Sequence, residues 1–595
     1  MQDKPLIVQS DKTLLLDVHS PVADECRNAL IPFAELEKSP EHLHTYRLTP
    51  LSLWNAASCG FSTQDAIKVL QTYSRYDVPQ VVTAWIEQVG LRFGKLVMVP
   101  DFLQEKSDIE TEEDALFLIT ENGNIYAEIK SNKLLSKYLI PYPIDVEKYK
   151  QLKSDFSAEN VFGFRLSLMD RGTIKQELLK LGWPVKDEVP LRDGEPLEIN
   201  LQKETSHGKP LSIRGYQEEA AKALVGDKGP GTGFGTIVLP CGAGKTVVGM
   251  TIMSKLKTST LIVTTNISAV HQWIDELLDK TDLTRDDIAE YTGENKEIKP
   301  VTVATYQVLT WRPNKEGDYP HFKLFKERNW GLIIYDEVHM LPAPVFRVTA
   351  EIQAIRRVGL TATLVREDGC EGYVFSLVGP KRYDVPWKEL EVSGWIADAE
   401  CIELRVDLPM EKEIDYAVAD SRSKHRIASE NPEKIEIVKE LVSRFPEDKI
   451  LIIGQYIDQL HQIAEMLKVP IITGKTKNSE RDVIYQQFRN GDIRVLVVSK
   501  VANFAIDLPD ASMAIQVSGT FGSRQEEAQR LGRILRPKNR KARFFTLISR
   551  STVEEEFGAN RQKFLAEQGY EYKLVRSIDE YTNCIECSSS FGGLL

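Results

Sequence analysis

The chain has 595 residues, too many for one hydrophobic core and enough for three or four domains. Hydrophobic residues make up 42% and charged residues 27%, as in ordinary globular proteins, and no apolar run approaches the roughly 20 residues that span a bilayer. The net charge of −12 argues against a nucleic-acid packaging protein but permits a local basic groove. Seven scattered cysteines and a polar N-terminus without a signal-peptide core predict a cytoplasmic protein.

The first two hundred residues predict helices and then a small mixed region. Apolar residues recur at three- and four-residue spacing in segments 52–58, 63–73 and 79–93. Residues 115–129 predict a β-hairpin that turns at Asn122-Gly123, and a further helix is predicted at 173–181. The polar segment 191–210, with Gly and Pro at intervals, predicts a linker into the next domain.

Short apolar strands then alternate with helices in two consecutive series. The first series is 236–239, 261–265, 301–305, 332–335 and 358–361, and the second is 450–454, 471–473, 495–499, 514–518 and 544–548. Two such series predict two parallel-sheet domains, because each crossover helix returns the chain to start the next strand in the same direction.

A glycine-rich turn lies between the first predicted strand of this region and a helix, with the sequence Leu239-Pro-Cys-Gly-Ala-Gly-Lys-Thr246. Backbone N–H groups at Gly242, Ala243 and Gly244, together with the helix N-terminus, predict a phosphate-binding loop. Lys245 is positioned to reach the β- and γ-phosphates of a nucleotide, and the Thr246 hydroxyl to bind Mg²⁺. Leu239 stands where such loops usually have a first glycine.

Asp336-Glu337 follows the apolar strand at 332–335, some ninety residues after the glycine-rich turn. A carboxylate at a strand end that faces a phosphate loop can hold Mg²⁺, which we assign to Asp336. Glu337 can then orient and deprotonate the attacking water. An isolated Asp-Glu pair is usually a solvated turn, but its spacing from the glycine-rich turn favours a site for nucleotide hydrolysis.

Gln529, Arg533 and Arg536 recur at helical spacing on one face of a predicted helix in the second series. Two arginines presented across a cleft would neutralise the charge that develops on a γ-phosphate. A basic solvated helix is the alternative, and the glycine-rich turn elsewhere in the chain favours the catalytic interpretation.

These motifs resemble those of superfamily 2 helicases, and over nearly its whole length the chain resembles the XPB family. The resemblance implies that Arg214 and Gln217, in Ile213-Arg-Gly-Tyr-Gln217, read the adenine of ATP. It also implies that Thr361-Ala-Thr363 couples hydrolysis to lobe movement with His339 as its contact. Asp507, in Phe504-Ala-Ile-Asp-Leu-Pro509, is implied to touch both nucleotide and nucleic acid.

Three features resemble the XPB family in particular. Arg366-Glu367-Asp368 resembles its charged loop implicated in duplex opening, where the alternative is a solvated turn. Residues 410–434 resemble its small thumb insertion, and residues 46–54 and 562–569 resemble family stretches outside the motor. The long terminal extensions of eukaryotic members are absent, which implies a bacterial or archaeal-type member.

The predicted fold class is α/β, with two RecA-like parallel-sheet motor domains preceded by a mainly helical N-terminal domain and a small α+β domain. The predicted domains are 1–100 (helical), 101–200 (damage-recognition-like), 206–375 and 385–550 (RecA-like), and 551–595 (C-terminal tail).

The resemblance implies ATP and Mg²⁺ as cofactors and DNA as a sequence-independent partner, forked or duplex. DNA contacts are implied for Thr265, Thr305, Ser499 and Lys500. Cys584 and Cys587 have too few companion ligands for a zinc site.

The expected activity is that of a monomeric 3′-5′ DNA helicase in repair, with no membrane association. A duplex translocase that does not separate strands, and an ATP-switched scaffold for a repair nuclease, are the alternatives.

Overall fold

The computed structural model describes residues 4–30, 32–38, 43–58, 60–100, 115–146, 149, 160–167, 170–189, 191–226, 232–240, 242–314, 319–341, 345, 355–362, 374–385, 390–391, 393–394, 399–499, 511–519, 542–567, 570 and 572–583. Within these ranges no helix combines the length and apolar character that crossing a membrane requires. The chain forms two compact units, the first comprising residues 1–35, 46–238 and 244–384, and the second 36–45, 239–243 and 385–595.

The N-terminal part of the chain contains the predicted helices and also strands that were not predicted. Strands β1 (Leu6–Val8) and β2 (Thr13–Asp17) pair antiparallel. The helices here are α1 (Ala23–Leu30), α2 (Pro50–Ser58), α3 (Thr63–Tyr73) and α4 (Gln80–Gly90), and two further strands are β3 (Glu35–Lys38) and β4 (Leu43–Arg47). The start of α3 is fixed by Ser62, whose side chain accepts the Asp65 N–H while the Asp65 carboxylate accepts the Ser62 N–H.

A five-stranded sheet follows, in the order β7-β8-β6-β5-β9. Its strands are β5 (Leu96–Pro100), β6 (Ala115–Thr120), β7 (Ile140–Pro143), β8 (Phe162–Ser167) and β9 (Val185–Asp187), accompanied by helices α5 (Gly123–Ser131) and α6 (Arg171–Lys180). The helix predicted at 173–181 is therefore confirmed.

The hairpin prediction for 115–129 is wrong. Strand β6 pairs with β5 and β8, and the chain continues from β6 into α5. Asn122 is the N-cap of that helix, because its side-chain oxygen accepts the N–H groups of Asn124 and Ile125 at 2.9 and 3.2 Å. The buried Ile125 and Ile129 then lie four residues apart on one helical face.

The first parallel sheet has seven strands in the order β12-β13-β11-β14-β15-β10-β16. The strands are β10 (Phe234–Val238), β11 (Thr260–Thr264), β12 (Ile288–Tyr291), β13 (Val301–Thr305), β14 (Leu332–Asp336), β15 (Arg356–Thr361) and β16 (Lys381–Asp384). The helices are α7 (Gly215–Val225), α8 (Lys245–Leu256), α9 (Ile267–Lys280) and the short α10 (Tyr306–Leu309). Every residue of β10, β11, β13 and β15 is buried, as expected for strands covered on both faces.

The predicted linker at 191–210 packs along the first parallel sheet and its helices. Isolated bridges join Arg192 to Ile355 and Leu201 to Thr281. The Leu197 N–H donates to the Lys257 carbonyl at 3.0 Å, and Glu195 pairs with Arg328 at 2.8 Å. Most residues of this segment are exposed, but several of its backbone groups hydrogen-bond to the sheet domain.

The second parallel sheet lies in the second unit, in the order β19-β20-β18-β21-β22-β17-β23. Its strands are β17 (Ala399–Val406), β18 (Ile450–Gly454), β19 (Ile471–Ile472), β20 (Val495–Ser499), β21 (Met513–Gln516), β22 (Ala542–Ser549) and β23 (Tyr572–Val575). Its helices are α11 (Met410–Val418), α12 (Ser421–Ser429), α13 (Glu433–Arg444), α14 (Ile457–Leu467), α15 (Asn478–Asn490) and α16 (Val553–Glu567). The predicted α/β class with two parallel RecA-like sheets is confirmed.

Two segments of this unit were predicted as a thumb insertion (410–434) and a C-terminal tail (551–595). The thumb-like segment 410–434 forms α11, α12 and the start of α13. Strand β23 pairs with β17 in parallel, so the described residues after 550 belong to the sheet domain and are not a separate tail.

Candidate active site

Three strand ends of the first parallel sheet meet at one edge. Strand β15 lies between β10 and β14, with Val238 opposite Thr361 and Asp336 opposite Leu360. Neighbouring strands are about 4.8 Å apart, so the ends of β10 and β14 lie about 10 Å apart. The glycine-rich turn after β10, the Thr361 motif and the Asp336-Glu337 pair therefore converge at the carboxyl edge, where open parallel sheets bind their ligands.

The glycine-rich turn has the backbone of a phosphate cradle. Gly242 and Gly244 have φ angles of +81° and +80°, in the left-handed region that side chains disfavour, and helix α8 begins directly after them at Lys245. A Cβ on Gly242 would have none of the described residues within 4 Å, so they leave the turn open on that side. Thr246 is half-buried in the first turn of α8, and its position suits the predicted metal ligand.

The proposed catalytic glutamate is paired directly with the lysine of the phosphate loop. Lys245 Nζ lies 3.2 Å from Glu337 Oε1, with 13% and 21% of the two side chains exposed. Glu337 has φ +48° and ψ +53°, a left-handed conformation that costs a non-glycine residue about 1–2 kcal/mol. That conformation ends β14 abruptly and starts the 3₁₀ turn Val338–Met340.

Glu337 is also linked to the coupling motif. Its Oε2 lies 3.4 Å from His339 Nδ1, and the same ring nitrogen is 2.7 Å from Thr361 Oγ1. His339 is 4% exposed. The predicted contact between His339 and Thr361 is thus present, and a continuous chain of polar contacts runs from Lys245 to the end of β15.

Asp336 is held by three donors. Its Oδ1 accepts the Glu337 N–H at 3.0 Å, and its Oδ2 accepts the indole N–H of Trp273 at 2.9 Å and faces the Thr264 hydroxyl at 3.5 Å. Burial, reinforced by the negative charge of Glu337, raises the pKa of Asp336 to about 6, against the lowering effects of Trp273 and Lys245. A buried carboxylate next to a second carboxylate is a favourable place for a cation.

The two residues implied to read adenine lie at the start of α7. Gln217 is 3% exposed, and its side-chain oxygen accepts the Arg214 N–H at 2.9 Å. A Cβ on Gly244 would lie 2.5 Å from Gln217 Nε2, so Gln217 packs directly against the phosphate loop. The Arg214 guanidinium donates to the Tyr216 hydroxyl at 3.0 Å.

The implied DNA contacts are placed at strand ends as expected, but two of the three described ones are buried. Thr265 is half-buried just after β11. Thr305 is 2% exposed and its hydroxyl accepts the Val308 N–H at the start of α10. Ser499 is 2% exposed at the end of β20, and among the described residues its hydroxyl has no hydrogen-bond partner.

Several predicted site residues lie outside the described residues. They are Thr363, Arg366, Glu367, Asp368, Lys500, Asp507, Gln529, Arg533, Arg536, Cys584 and Cys587. In the part of the chain that the structure describes, no group of three or more His, Cys, Asp or Glu side chains forms a metal cluster.

Trp273 is the site residue that the sequence did not reveal. It lies in α9 with Val270, Ile274 and Leu277 at core-forming spacing, a pattern that predicts only a buried apolar face. The direction of its N–H depends on how α9 packs, and no local pattern in the sequence reports that.

Three family models match the chain. They are described as the ERCC3/RAD25/XPB C-terminal helicase (residues 390–590), the res subunit of type III restriction enzymes (210–366) and a helicase conserved C-terminal domain (6–140).

Full-length relatives are also found. The chain is 49% identical to a Kineococcus radiotolerans protein named DNA 3′-5′ helicase XPB, over 97% of this chain and 98% of that protein. It is 47% identical to a Mycobacterium tuberculosis protein of the same name, over 98% and 99%. A Saccharomyces cerevisiae protein, named as the XPB/SSL2 helicase/translocase subunit of general transcription and DNA repair factor IIH, is 31% identical over 98% of this chain and 73% of that protein.

Proposed function

The chain belongs to the XPB family of superfamily 2 DNA helicases, and from that premise we propose that it hydrolyses ATP at the Lys245–Glu337 site to move 3′ to 5′ on DNA during repair. The observation that carries this proposal is the 3.2 Å contact between the phosphate-loop lysine and the glutamate at the end of β14. These two groups must face the same phosphate if one is to bind it and the other is to activate water beside it.

The described side chains fit ATP and Mg²⁺. The open turn at Gly242 leaves room for phosphate oxygens beside backbone N–H groups, and Lys245 supplies the positive charge. Asp336 and the Thr246 hydroxyl are oxygen ligands of the kind that Mg²⁺ takes in such sites. The ion, when bound, neutralises charge on the β- and γ-phosphates. Gln217, packed against Gly244, would hydrogen-bond the adenine with Arg214 beside it.

Each catalytic side chain has a separate task in this proposal. Lys245 leaves Glu337 to bind phosphate, and Glu337 then orients a water molecule and accepts its proton. Arg533 and Arg536, which recur with Gln529 at helical spacing in the sequence, neutralise charge on the γ-phosphate. His339 and Thr361 couple the nucleotide state of the site to DNA binding. For the DNA contacts we propose Thr265, Thr305, Ser499 and Lys500, with Thr363 and Asp507 in the neighbouring motifs.

Strand separation and duplex tracking are both compatible with this site, because the chemistry of hydrolysis is common to the two activities. The sequence Arg366-Glu367-Asp368 favours strand separation, since it carries both charge signs shortly after Thr361-Ala-Thr363. The experiment runs strand displacement on a fork and triplex displacement on a duplex side by side, with Lys245→Ala as the inactive control.

Each outcome of that experiment selects one function. Activity in both assays supports the helicase, and triplex displacement alone supports the duplex translocase. ATP hydrolysis with neither displacement would support a monomeric, ATP-switched scaffold for a repair nuclease, which co-purification from cytoplasmic extract would then identify.

A further inference from the structure

Trp273 is not among the motif residues that the family resemblance implies. Trp273 lies in α9 and is 2% exposed. Its indole N–H donates to Asp336 Oδ2 at 2.9 Å, although the two residues are 63 positions apart in the sequence. The ring lies against α8, the helix that starts at the phosphate loop, because Gly249 there has no side chain. A Cβ on Gly249 would lie 2.7 Å from Trp273 Cη2.

This arrangement fixes the rotation of one carboxylate. Asp336 Oδ1 accepts the Glu337 N–H, whereas Oδ2 accepts the Trp273 N–H at 2.9 Å and faces the Thr264 hydroxyl at the longer distance of 3.5 Å. A carboxylate oxygen has two lone pairs, and Oδ1, which accepts a single donor, therefore keeps an acceptor position for a further ligand. The indole nitrogen is a donor only and cannot bind a cation itself. Its effect on a metal must pass through Asp336.

We propose that Trp273 is a positioning residue that holds the Asp336 carboxylate in the orientation required to bind a divalent cation. The proposal rests on the assignment of Asp336 as the Mg²⁺ ligand in the proposed function. It differs from a packing role, because packing needs only the ring, whereas positioning needs the N–H. Gly249 contributes to this positioning, since a side chain there would displace the Trp273 ring.

The test compares two Trp→Phe substitutions in the full chain. Trp273→Phe keeps an aromatic ring and removes the N–H. Trp330→Phe is the matched control, because Trp330 is also fully buried in this sheet domain and donates its indole N–H at 2.8 Å, but to the Leu324 carbonyl. Gly249→Ala displaces the ring while keeping the N–H. Thermal melting of each variant shows whether it is folded.

The measured quantity is the Mg²⁺ concentration that half-saturates binding of a fluorescent ATP analogue, with direct Mn²⁺ binding by electron paramagnetic resonance as a second readout. A hydrogen bond to a charged group changes an equilibrium by about tenfold or more. Trp273→Phe and Gly249→Ala should therefore raise the half-saturating Mg²⁺ concentration about tenfold, with analogue binding in EDTA unchanged. Trp330→Phe should leave both values within about twofold.

Two outcomes separate the failure of this inference from the failure of the proposed site. Equal metal dependence in Trp273→Phe and Trp330→Phe, with Asp336→Asn strongly impaired, would overturn the role of Trp273 and leave Asp336 as the ligand. An Asp336→Asn variant with normal metal dependence would instead overturn the assignment of the metal site itself. If Gly249→Ala alone fails to fold, the two Phe variants still decide the question.

Discussion

Replacing Glu337 with Gln perturbs two functions of one side chain. The amide cannot accept a proton from water, so turnover should fall by about 100- to 10,000-fold, the usual contribution of a general base. The amide also removes the negative charge 3.2 Å from Lys245 Nζ. ATP competes with Glu337 for Lys245, so the same substitution should make nucleotide bind more tightly.

The size of the second effect follows from the geometry. Two unit charges 3.2 Å apart attract by about 5 kcal/mol at an effective dielectric constant of 20. Desolvation and side-chain ordering reduce the net value of a pair that is still partly exposed to about 1 kcal/mol. We therefore expect Glu337→Gln to bind a non-hydrolysable ATP analogue about fivefold more tightly than the wild type, since 1.4 kcal/mol is tenfold.

The assay is analogue binding and ATP turnover on one protein preparation. Glu218→Gln is the control, because Glu218 also forms a Lys–Glu pair, at 2.7 Å, with Lys255 in the last turn of α8, at the opposite end of the helix from Lys245. That variant should leave both quantities nearly unchanged. Near wild-type hydrolysis by Glu337→Gln would show that another group activates water. Weaker analogue binding would show that Glu337 does not compete for Lys245.

Three further experiments test the proposed arginines, the charged residues 366–368 and the buried Lys434–Glu554 ion pair. Arg533→Ala or Arg536→Ala should lower turnover about a thousandfold with little change in nucleotide-free DNA affinity; loss of DNA binding with intact basal ATPase would place these residues in the DNA groove. Replacing loop 366–368 by alanines should leave DNA-stimulated ATPase within about threefold, under 1 kcal/mol of barrier, while fork separation drops severely; equal loss of both would make the loop part of the coupling path. Lys434→Met should destabilise the second sheet domain by about 3–5 kcal/mol, because it leaves Glu554, 2.7 Å from Lys434 Nζ and 2% exposed, buried without its cation. Adding Glu554→Gln to Lys434→Met should recover most of the lost stability, measured as the protection of the β22 amides from hydrogen exchange. If the destabilising effects of the two substitutions simply add, the two side chains do not stabilise each other as a pair.

The two parallel sheets could be predicted because their strands are short continuous apolar runs. Predicted and observed bounds agree fully for Val301–Thr305, Ile450–Gly454 and Val495–Ser499. Strand β17 escaped prediction because charged residues interrupt it. Glu403 is one of these, and it is buried at 3% exposure only because Arg405 and Gln562 donate to its carboxylate. Such pairing is a tertiary property that periodicity does not report.

The hairpin at Asn122-Gly123 failed for a local reason. The same dipeptide is compatible with a tight turn and with a helix N-terminus. The helix forms here because it buries the apolar residues Ile125 and Ile129. The nucleotide site shows the same division. Its motif residues are sequence predictions, made from the types and spacing that phosphate chemistry requires, whereas the contact of Trp273 depends on the packing of α9 against α8.

The polar contacts at the end of β14 also suggest how nucleotide state reaches the coupling motif. Glu337 joins Lys245 on one side and His339 on the other, and His339 in turn contacts Thr361 at the end of β15. A ligand shifts an equilibrium only by as much as it favours one state over another. In the proposed site, a phosphate bound by Lys245 would supply such a difference, because it would compete with the contact between Lys245 and Glu337. The released carboxylate can strengthen its contact with His339 or turn towards water, and either choice changes what His339 presents to Thr361.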